Sequence, residues 1–213
     1  AAVSSAHPIA TAAGVEILEA GGNVIDAAVA VSFALGVVEP DASGLGGYGQ
    51  MVAYLTDLEA PVVIEFLTRA PQEATLENAA LNNATGPMLA NVPGVVRGME
   101  LAFDKYGSGQ IEWARLIEPA IRAATEGFVL DDAFTTTLAL ERARYGPWDS
   151  SMELFFPNGE PLKAGDLFKN PDLGWTLEEI AEGGGDAFYE GEVAQRIVED
   201  LRGKGNAMTM NDM

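Results

Sequence analysis

The sequence predicts an α/β (α+β) chain in which helices pack against a sheet. Three observations point there: two apolar-periodic segments open the chain, a β-rich hairpin pattern follows them, and helical periodicity returns from Pro93 onward. Two strands alone make only a marginal sheet, so this layer arrangement needs strands that the pattern does not show.

The first helix is placed over Ile9–Ala20. Ser4-Ser5-Ala6-His7-Pro8 supplies capping residues and a Pro near the first turn, and Gly21-Gly22 supplies the stop. Asn23 caps a second helix over Val24–Val37, whose residues leave almost no polar face and therefore predict burial on most sides. A Gly-rich turn at Gly44–Gly49 leads to two strands, Met51–Thr56 and Val62–Thr68, joined through Asp57-Leu58-Glu59-Ala60-Pro61. Residues 72–92 carry Asn78, Asn82, Asn83 and Asn91 with weak patterning and read as loop with one short helical turn. Helices follow from Pro93 to Gly107, over Trp113–Thr125 with a kink or restart at Pro119, and over Asp132–Arg144. Phe156–Leu162 is a turn, and two last helices fall near Pro171–Ala181 and Ala187–Leu201.

Composition narrows the function classes. The 213 residues hold 12 Lys+Arg against 32 Asp+Glu, a formal charge of -20. Such a surface repels phosphate backbones and anionic headgroups, so neither a nucleic acid nor a polybasic membrane contact is expected. No Cys is present and His7 is the single histidine, which excludes a thiolate site and a His-based metal site and leaves Ser, Thr, Lys or a carboxylate as nucleophile. The longest apolar run, Ala27–Val38, is shorter than the roughly 20 residues a transmembrane helix needs. No basic n-region opens the chain, so a signal peptide is absent, already removed or outside this sequence.

Several motifs invite a chemical reading. Gly44-Leu45-Gly46-Gly47-Tyr48-Gly49 fits G-x-G-x-x-G, with Glu65 near where a ribose-binding acid is sought. The dinucleotide fingerprint needs strand, glycine turn, then helix; here the order is helix, turn, strand, so no helix N-terminus faces the loop and close backbone packing is the better account. His7 could act as a base, but before Pro8 it fits a cap. Asp26, Glu39 and Asp41 could pair as carboxylates, yet no spacing rule fixes their separation and caps or loop acids suffice. Asp131-Asp132 and Glu178-Glu179 read as helix-start charge. On the strand from Val62 to Arg69, alternation puts Glu65, Leu67 and Arg69 on one face and Ile64, Phe66 and Thr68 on the other. A guanidinium at a strand end can grip a carboxylate bidentately, or simply pair with a local acid.

Taken together, Gly21–Ala30, Gly36-Val37-Val38-Glu39-Pro40, Ser43–Gly47, Ala70-Pro71, Val92-Pro93-Gly94, Glu126-Gly127-Phe128, Gly165-Asp166, Asp186–Glu192 and Met208-Thr209 with Asp212 resemble the γ-glutamyltransferase family, collinearly over nearly the whole chain. The resemblance implies an N-terminal-nucleophile hydrolase with a four-layer αββα sandwich, made as a proenzyme that cleaves itself into two subunits. Residues 1–213 then form a single domain, an incomplete large-subunit portion completed by a partner chain. It further implies that the nucleophile is a Thr at the N-terminus of the small subunit, beyond Met213, so that no catalytic residue is expected in this chain. No cofactor or metal is implied, and the substrate is a small γ-glutamyl or other amide; the alternatives are a related amidase or acylase of different acyl specificity, or a processing-dead homologue that acts as a binding module. A secreted or periplasmic location is favoured by analogy, while the absence of cysteine is compatible with a cytoplasmic one as well. One departure bears on specificity: where the family's substrate-binding stretch reads Arg-Glu, one residue, then Ala-Pro, this chain has Leu67-Thr68-Arg69-Ala70-Pro71. Leu67 replaces the arginine that would clasp the substrate's α-carboxylate. Arg69, about 6–7 Å along the same face, either compensates or accompanies a different acyl preference.

Overall fold

The computed structural model describes residues 1–75 and 86–213, so Asn78, Asn82 and Asn83 of the expected loop lie outside the described residues. Helix α1 (Pro8–Glu19) starts where Pro8 pre-sets the first turn and His7 Nδ1 accepts the Ile9 amide at 3.2 Å. Helix α2 (Val24–Val38) opens with a full capping box: Asn23 Oδ1 accepts the amides of Ile25 and Asp26 at 2.9 and 3.0 Å, and Asp26 Oδ2 accepts the Asn23 amide at 2.9 Å. Burial of Ile25, Val29, Phe33 and Val37 makes α2 the spine of the core, packed against α1, α3 and α4. Phe33 is wholly buried with its ring edge against Trp113 at 5.6 Å, a contribution of about 2–3 kcal/mol from area alone.

Strands β1 (Gly49–Ala53) and β2 (Val62–Phe66) form an antiparallel hairpin in register Met51↔Ile64. Ala53 and Ile64 face the helices, whereas Val52 and Val63 on the other face are 70% and 58% exposed. Both strands end earlier than the sequence pattern predicts, because Leu67, Thr68 and Tyr54–Thr56 have no ladder partner among the described residues, and β1 starts two residues before the expected Met51, Gly49 and Gln50 pairing with Phe66 and Glu65. A 3-10 turn at Gly86–Leu89 supplies the expected helical turn.

Helix α3 (Val95–Tyr106) packs on β2, and α4 (Trp113–Thr125) packs on α2. Pro119 does not restart α4: its ring is buried in mid-helix, and the helix runs on despite the missing N–H. The single helix expected over 132–144 is two, α5 (Asp132–Leu140) and α6 (Arg142–Tyr145), separated at Glu141. Three short elements escaped the pattern: β3 (Phe128–Val129), α7 (Asp149–Phe155) and β4 (Leu167–Phe168). The two-residue strands pair antiparallel with the Phe128 and Phe168 rings in edge contact at 5.6 Å, so aromatic packing rather than ladder length holds them.

Helix α8 (Pro171–Tyr189) is two helical segments meeting at a kink at Gly184 (φ 67, ψ -160), the first ending close to the expected Ala181, and α9 (Glu192–Gly203) follows a tight turn at Glu190-Gly191. Glu178 and Glu179 therefore lie in mid-helix and not at a helix start, whereas Asp131 does cap α5, accepting the Phe134 amide at 3.0 Å. Trp113 Nε1 donates to the Ile180 carbonyl at 2.8 Å, fastening α4 to α8.

Candidate functional site

Beyond β2 the chain continues extended, and Arg69 makes one antiparallel bridge to Val92, whose amide donates to the Arg69 carbonyl at 2.9 Å. Strand alternation holds up to this point: Ile64 is buried and Phe66 half-buried, while Glu65, Leu67 and Arg69 are exposed. Leu67 and Arg69 border the same cavity of about 270 Å³, closed on other sides by Val92-Pro93-Gly94, by α3 and by Tyr189. Leu67 is 54% exposed, an apolar side chain left at the cavity edge. Arg69 makes no ion pair among the described residues.

Two glycines let α3 cross so close to the strand end. A Cβ on Gly94 would stand 2.2 Å from the Phe66 carbonyl oxygen, and one on Gly98 would stand 2.4 Å from the Phe66 ring. With neither present, Arg97 and Leu101 come to the cavity wall. Arg97 pairs with Glu100 at 2.6 Å and Asp186 at 2.9 Å, and its guanidinium lies 4.9 Å over the Tyr189 ring. Burial works against its charge, but hydrogen bonds to Asp186 and Glu100 outweigh it and raise its pKa above the ordinary arginine value. The Tyr189 hydroxyl donates to the Pro93 carbonyl at 3.0 Å, and burial raises its pKa.

Behind Arg69 stands Asp212, only 5% exposed. Its Oδ1 accepts the Gln72 amide at 2.8 Å, and its Oδ2 accepts both the amide and the hydroxyl of Thr209 at 2.8 and 2.7 Å. The Gln72 amide above all, then the Thr209 donors and the charge of Arg69, hold its pKa below the usual carboxylate range against the effect of burial. Arg97, Tyr189 and Asp212 were not among the predicted site residues. Asp212 and the Asp186–Tyr189 run do belong to the family-like motifs, but no local spacing rule brings positions 69, 97, 189 and 212 together.

The other predicted residues fall elsewhere. Asp26, fully buried, accepts the Ser108 amide at 3.1 Å besides its capping bond, and Glu39 is the C-cap at the opposite end of α2, about 20 Å of helix away, so they form no carboxylate pair. His7 lies beside Glu39, Asp41 and Asp131 around a small cavity of about 120 Å³. Burial lowers its pKa, with Asp131 and Glu39 acting the other way, and its Nδ1 is committed to the cap. The Gly44–Gly49 loop does run helix, turn, strand, but one expectation fails: the start of α3 does face it. Those first amides are occupied, Gly94 and Val95 donating to the Gly47 carbonyl at 2.9 and 3.3 Å, so the loop caps a helix and leaves no open phosphate cradle there. Among the described residues no group of three or more His, Asp or Glu is placed to hold a metal, and no helix is long and apolar enough to cross a membrane.

Residues 10–213 match the family model described as Gamma-glutamyltranspeptidase. The chain is 36% identical over 220 residues to the glutathione hydrolase proenzyme of Bacillus subtilis (strain 168), covering 99% of this chain and 37% of that protein. It is 37% identical over 208 residues to the capsule biosynthesis protein CapD proenzyme of Bacillus anthracis, covering 94% of this chain and 37% of that one. Among solved structures, the gamma-glutamyltranspeptidase of Helicobacter pylori superposes with a TM-score of 0.93 at 37% identity, over 100% of this chain and 62% of that one. The cephalosporin acylase of Bacillus halodurans superposes with a TM-score of 0.88 at 28% identity, over 97% of this chain and 40% of that one. The chain thus spans little more than a third of the length of these curated relatives.

Proposed function

This chain belongs to the gamma-glutamyltranspeptidase family, and we propose that it is the N-terminal portion of the large subunit of a γ-glutamyltransferase-like hydrolase. Residues 1–213 act as one domain whose sandwich is completed by a small subunit from the same proenzyme, an arrangement supported by the proenzyme names of the relatives and by the exposed Val52 and Val63 on the open face of the β1–β2 hairpin. The nucleophile is a Thr at the small subunit's N-terminus. Its hydroxyl attacks the γ-amide carbonyl while its own α-amine takes the proton, backbone N–H groups stabilise the oxyanion, and the amine product leaves with that proton. Water or an acceptor amine then releases the acyl group from the threonine ester. No metal or cofactor takes part.

The contribution of this chain is acyl recognition at the strand end. The observation that carries it is the shared cavity of Leu67 and Arg69, in which the guanidinium has no ion-pair partner among the described residues and is open to a substrate carboxylate. A second reading, an amidase or acylase of different acyl specificity, is favoured by one observation: Leu67 places an apolar side chain where the family motif has arginine.

Turnover of a γ-glutamyl anilide against a simple acyl amide by the complete processed enzyme separates the two readings. Glutathione-type specificity predicts preference for the anilide, a loss of about tenfold in kcat/KM on Arg69→Ala and a gain of similar size on Leu67→Arg, the scale of one charge-assisted hydrogen bond. If both variants leave γ-glutamyl turnover unchanged, the strand end has no part in recognition.

A further inference from the structure

Asn206, Met208, Thr209 and Asp212 build a clasp around the segment that carries Arg69. Asn206 Nδ2 donates to the carbonyls of Pro87 and Ala90 at 2.8 and 3.0 Å, and its Oδ1 accepts the Met208 amide at 2.8 Å. The Met208 side chain is fully buried in a small apolar cluster with Val92 and Val198. Val92 in turn bridges to Arg69, and Asp212 closes the ring at Gln72. The backbone around Arg69 is therefore fixed on one side through Val92 and on the other through Asp212.

From this geometry we infer that Asp212 is a positioning residue for Arg69: it anchors the backbone that follows the arginine and presents the guanidinium to the cavity without capturing it. The first half rests on the 2.8 Å bond from the Gln72 amide to Oδ1. The second rests on placement: Arg69 lines the cavity, and no Asp212–Arg69 ion pair forms although the two charges act on one another, three of the carboxylate's acceptor sites being committed to Gln72 and Thr209. A buried carboxylate tied to three other donors supplies a fixed field beside a cation and, where no ion pair forms, leaves that cation's donors open to a ligand. Met213, next to Asp212, lines the same cavity, so the clasp forms part of the pocket wall.

This inference rests on the reading that Arg69 recognises a carboxylate of the acyl group, and the test keeps the two apart. In the complete processed enzyme, kcat/KM is measured for a γ-glutamyl anilide and for an unsubstituted butyryl anilide, and their ratio is compared across variants. Asp212→Asn removes the charge and turns one acceptor into a donor facing Thr209. It is expected to lower the ratio about three- to tenfold, through KM for the γ-glutamyl substrate, with butyryl turnover unchanged within about twofold. Thr209→Val removes the hydroxyl donor, loosens Oδ2 and leaves Asp212 freer to capture Arg69, and it is expected to move the ratio in the same direction by a smaller factor. It decides the matter if Asp212→Asn does not fold or process. Equal losses on both substrates, or an unchanged ratio in a variant set where Arg69→Ala lowers it, overturn the positioning role while leaving acyl recognition standing. An unchanged ratio in Arg69→Ala overturns both.

Discussion

The amide of Val92 donates to the carbonyl of Arg69 at 2.9 Å, a single antiparallel bridge beyond the last paired residue of β2. Val92 is 4% exposed, so this bond is shielded from water and fixes the line along which Arg69 leaves the strand. The position of one exposed guanidinium is thereby tied to a buried residue at the entry to α3, and changes on the α3 side should be felt at the cavity.

Gly94→Ala tests that coupling. Its Cβ would meet the Phe66 carbonyl oxygen at 2.2 Å and the Leu67 carbonyl oxygen at 3.2 Å, both backbone atoms that cannot swing aside. Overpacking of this kind costs about 1–3 kcal/mol, and here it separates α3 from the strand end. Urea unfolding of the processed enzyme should show the loss, and KM for a γ-glutamyl anilide should rise. Wild-type KM with reduced stability would place the strain away from the cavity.

Tyr189→Phe keeps the ring beneath Arg97 but deletes the hydroxyl that donates to the Pro93 carbonyl at 3.0 Å. A buried carbonyl losing its donor costs about 1–2 kcal/mol. Tyr189→Ala also removes the ring that Arg97 covers, and aromatic truncation in a core raises the loss to about 3–5 kcal/mol. Denaturant midpoints of the two variants check the order.

Asp26→Ala should be among the more damaging single changes in the helical layer. It strips the capping box and leaves the amides of Asn23 and Ser108 without their acceptor, for about 3 kcal/mol in total. Glu16→Ala removes two arginine contacts at 2.6 and 2.7 Å but on side chains about a third exposed, where solvent screening holds the loss to within about 1 kcal/mol. Comparable losses in the two variants would contradict this ranking.

His7 gives the fold a pH dependence of definite sign. Burial lowers its folded-state pKa below 6.5, so the unfolded chain binds the proton more readily. The stability it contributes is complete above pH 6.5 and falls as pH drops through the folded value, where a protonated Nδ1 could no longer accept the Ile9 amide. His7→Asn retains an acceptor that does not titrate, and the stability of the variant should vary less than that of wild type between about pH 5 and 7. Parallel Tm profiles for the two proteins would show that His7 is not responsible.

Local rules made the helical scaffold legible. Asn23 before an apolar run signals the cap that the structure contains, with Asp26, read as a cap or loop acid, completing a capping box, and Pro8 with Gly21 brackets α1. What escaped was too short for a period: β3 and β4 have two residues each, and the helical segment between the Gly184 kink and Tyr189 is little more than one turn. Pro119 shows the converse, since tertiary packing carries α4 through a residue that local chemistry reads as a stop. At the site, alternation placed Leu67 and Arg69 on one face, and both border one cavity. The partners that shape it, Arg97, Tyr189 and Asp212, arrive from α3, α8 and the segment after α9, and contacts across such separations have no periodic signature in one sequence.

The central claim, that this chain is part of a self-processed hydrolase whose nucleophile lies on a second subunit, is tested most directly by a denaturing intact-mass spectrum of the complete protein with N-terminal sequencing of every species. Two stoichiometric chains are expected, one containing residues 1–213 and the other beginning with Thr. A complete protein that stays as one uncleaved chain, or whose second chain begins with a residue other than Thr, would contradict it.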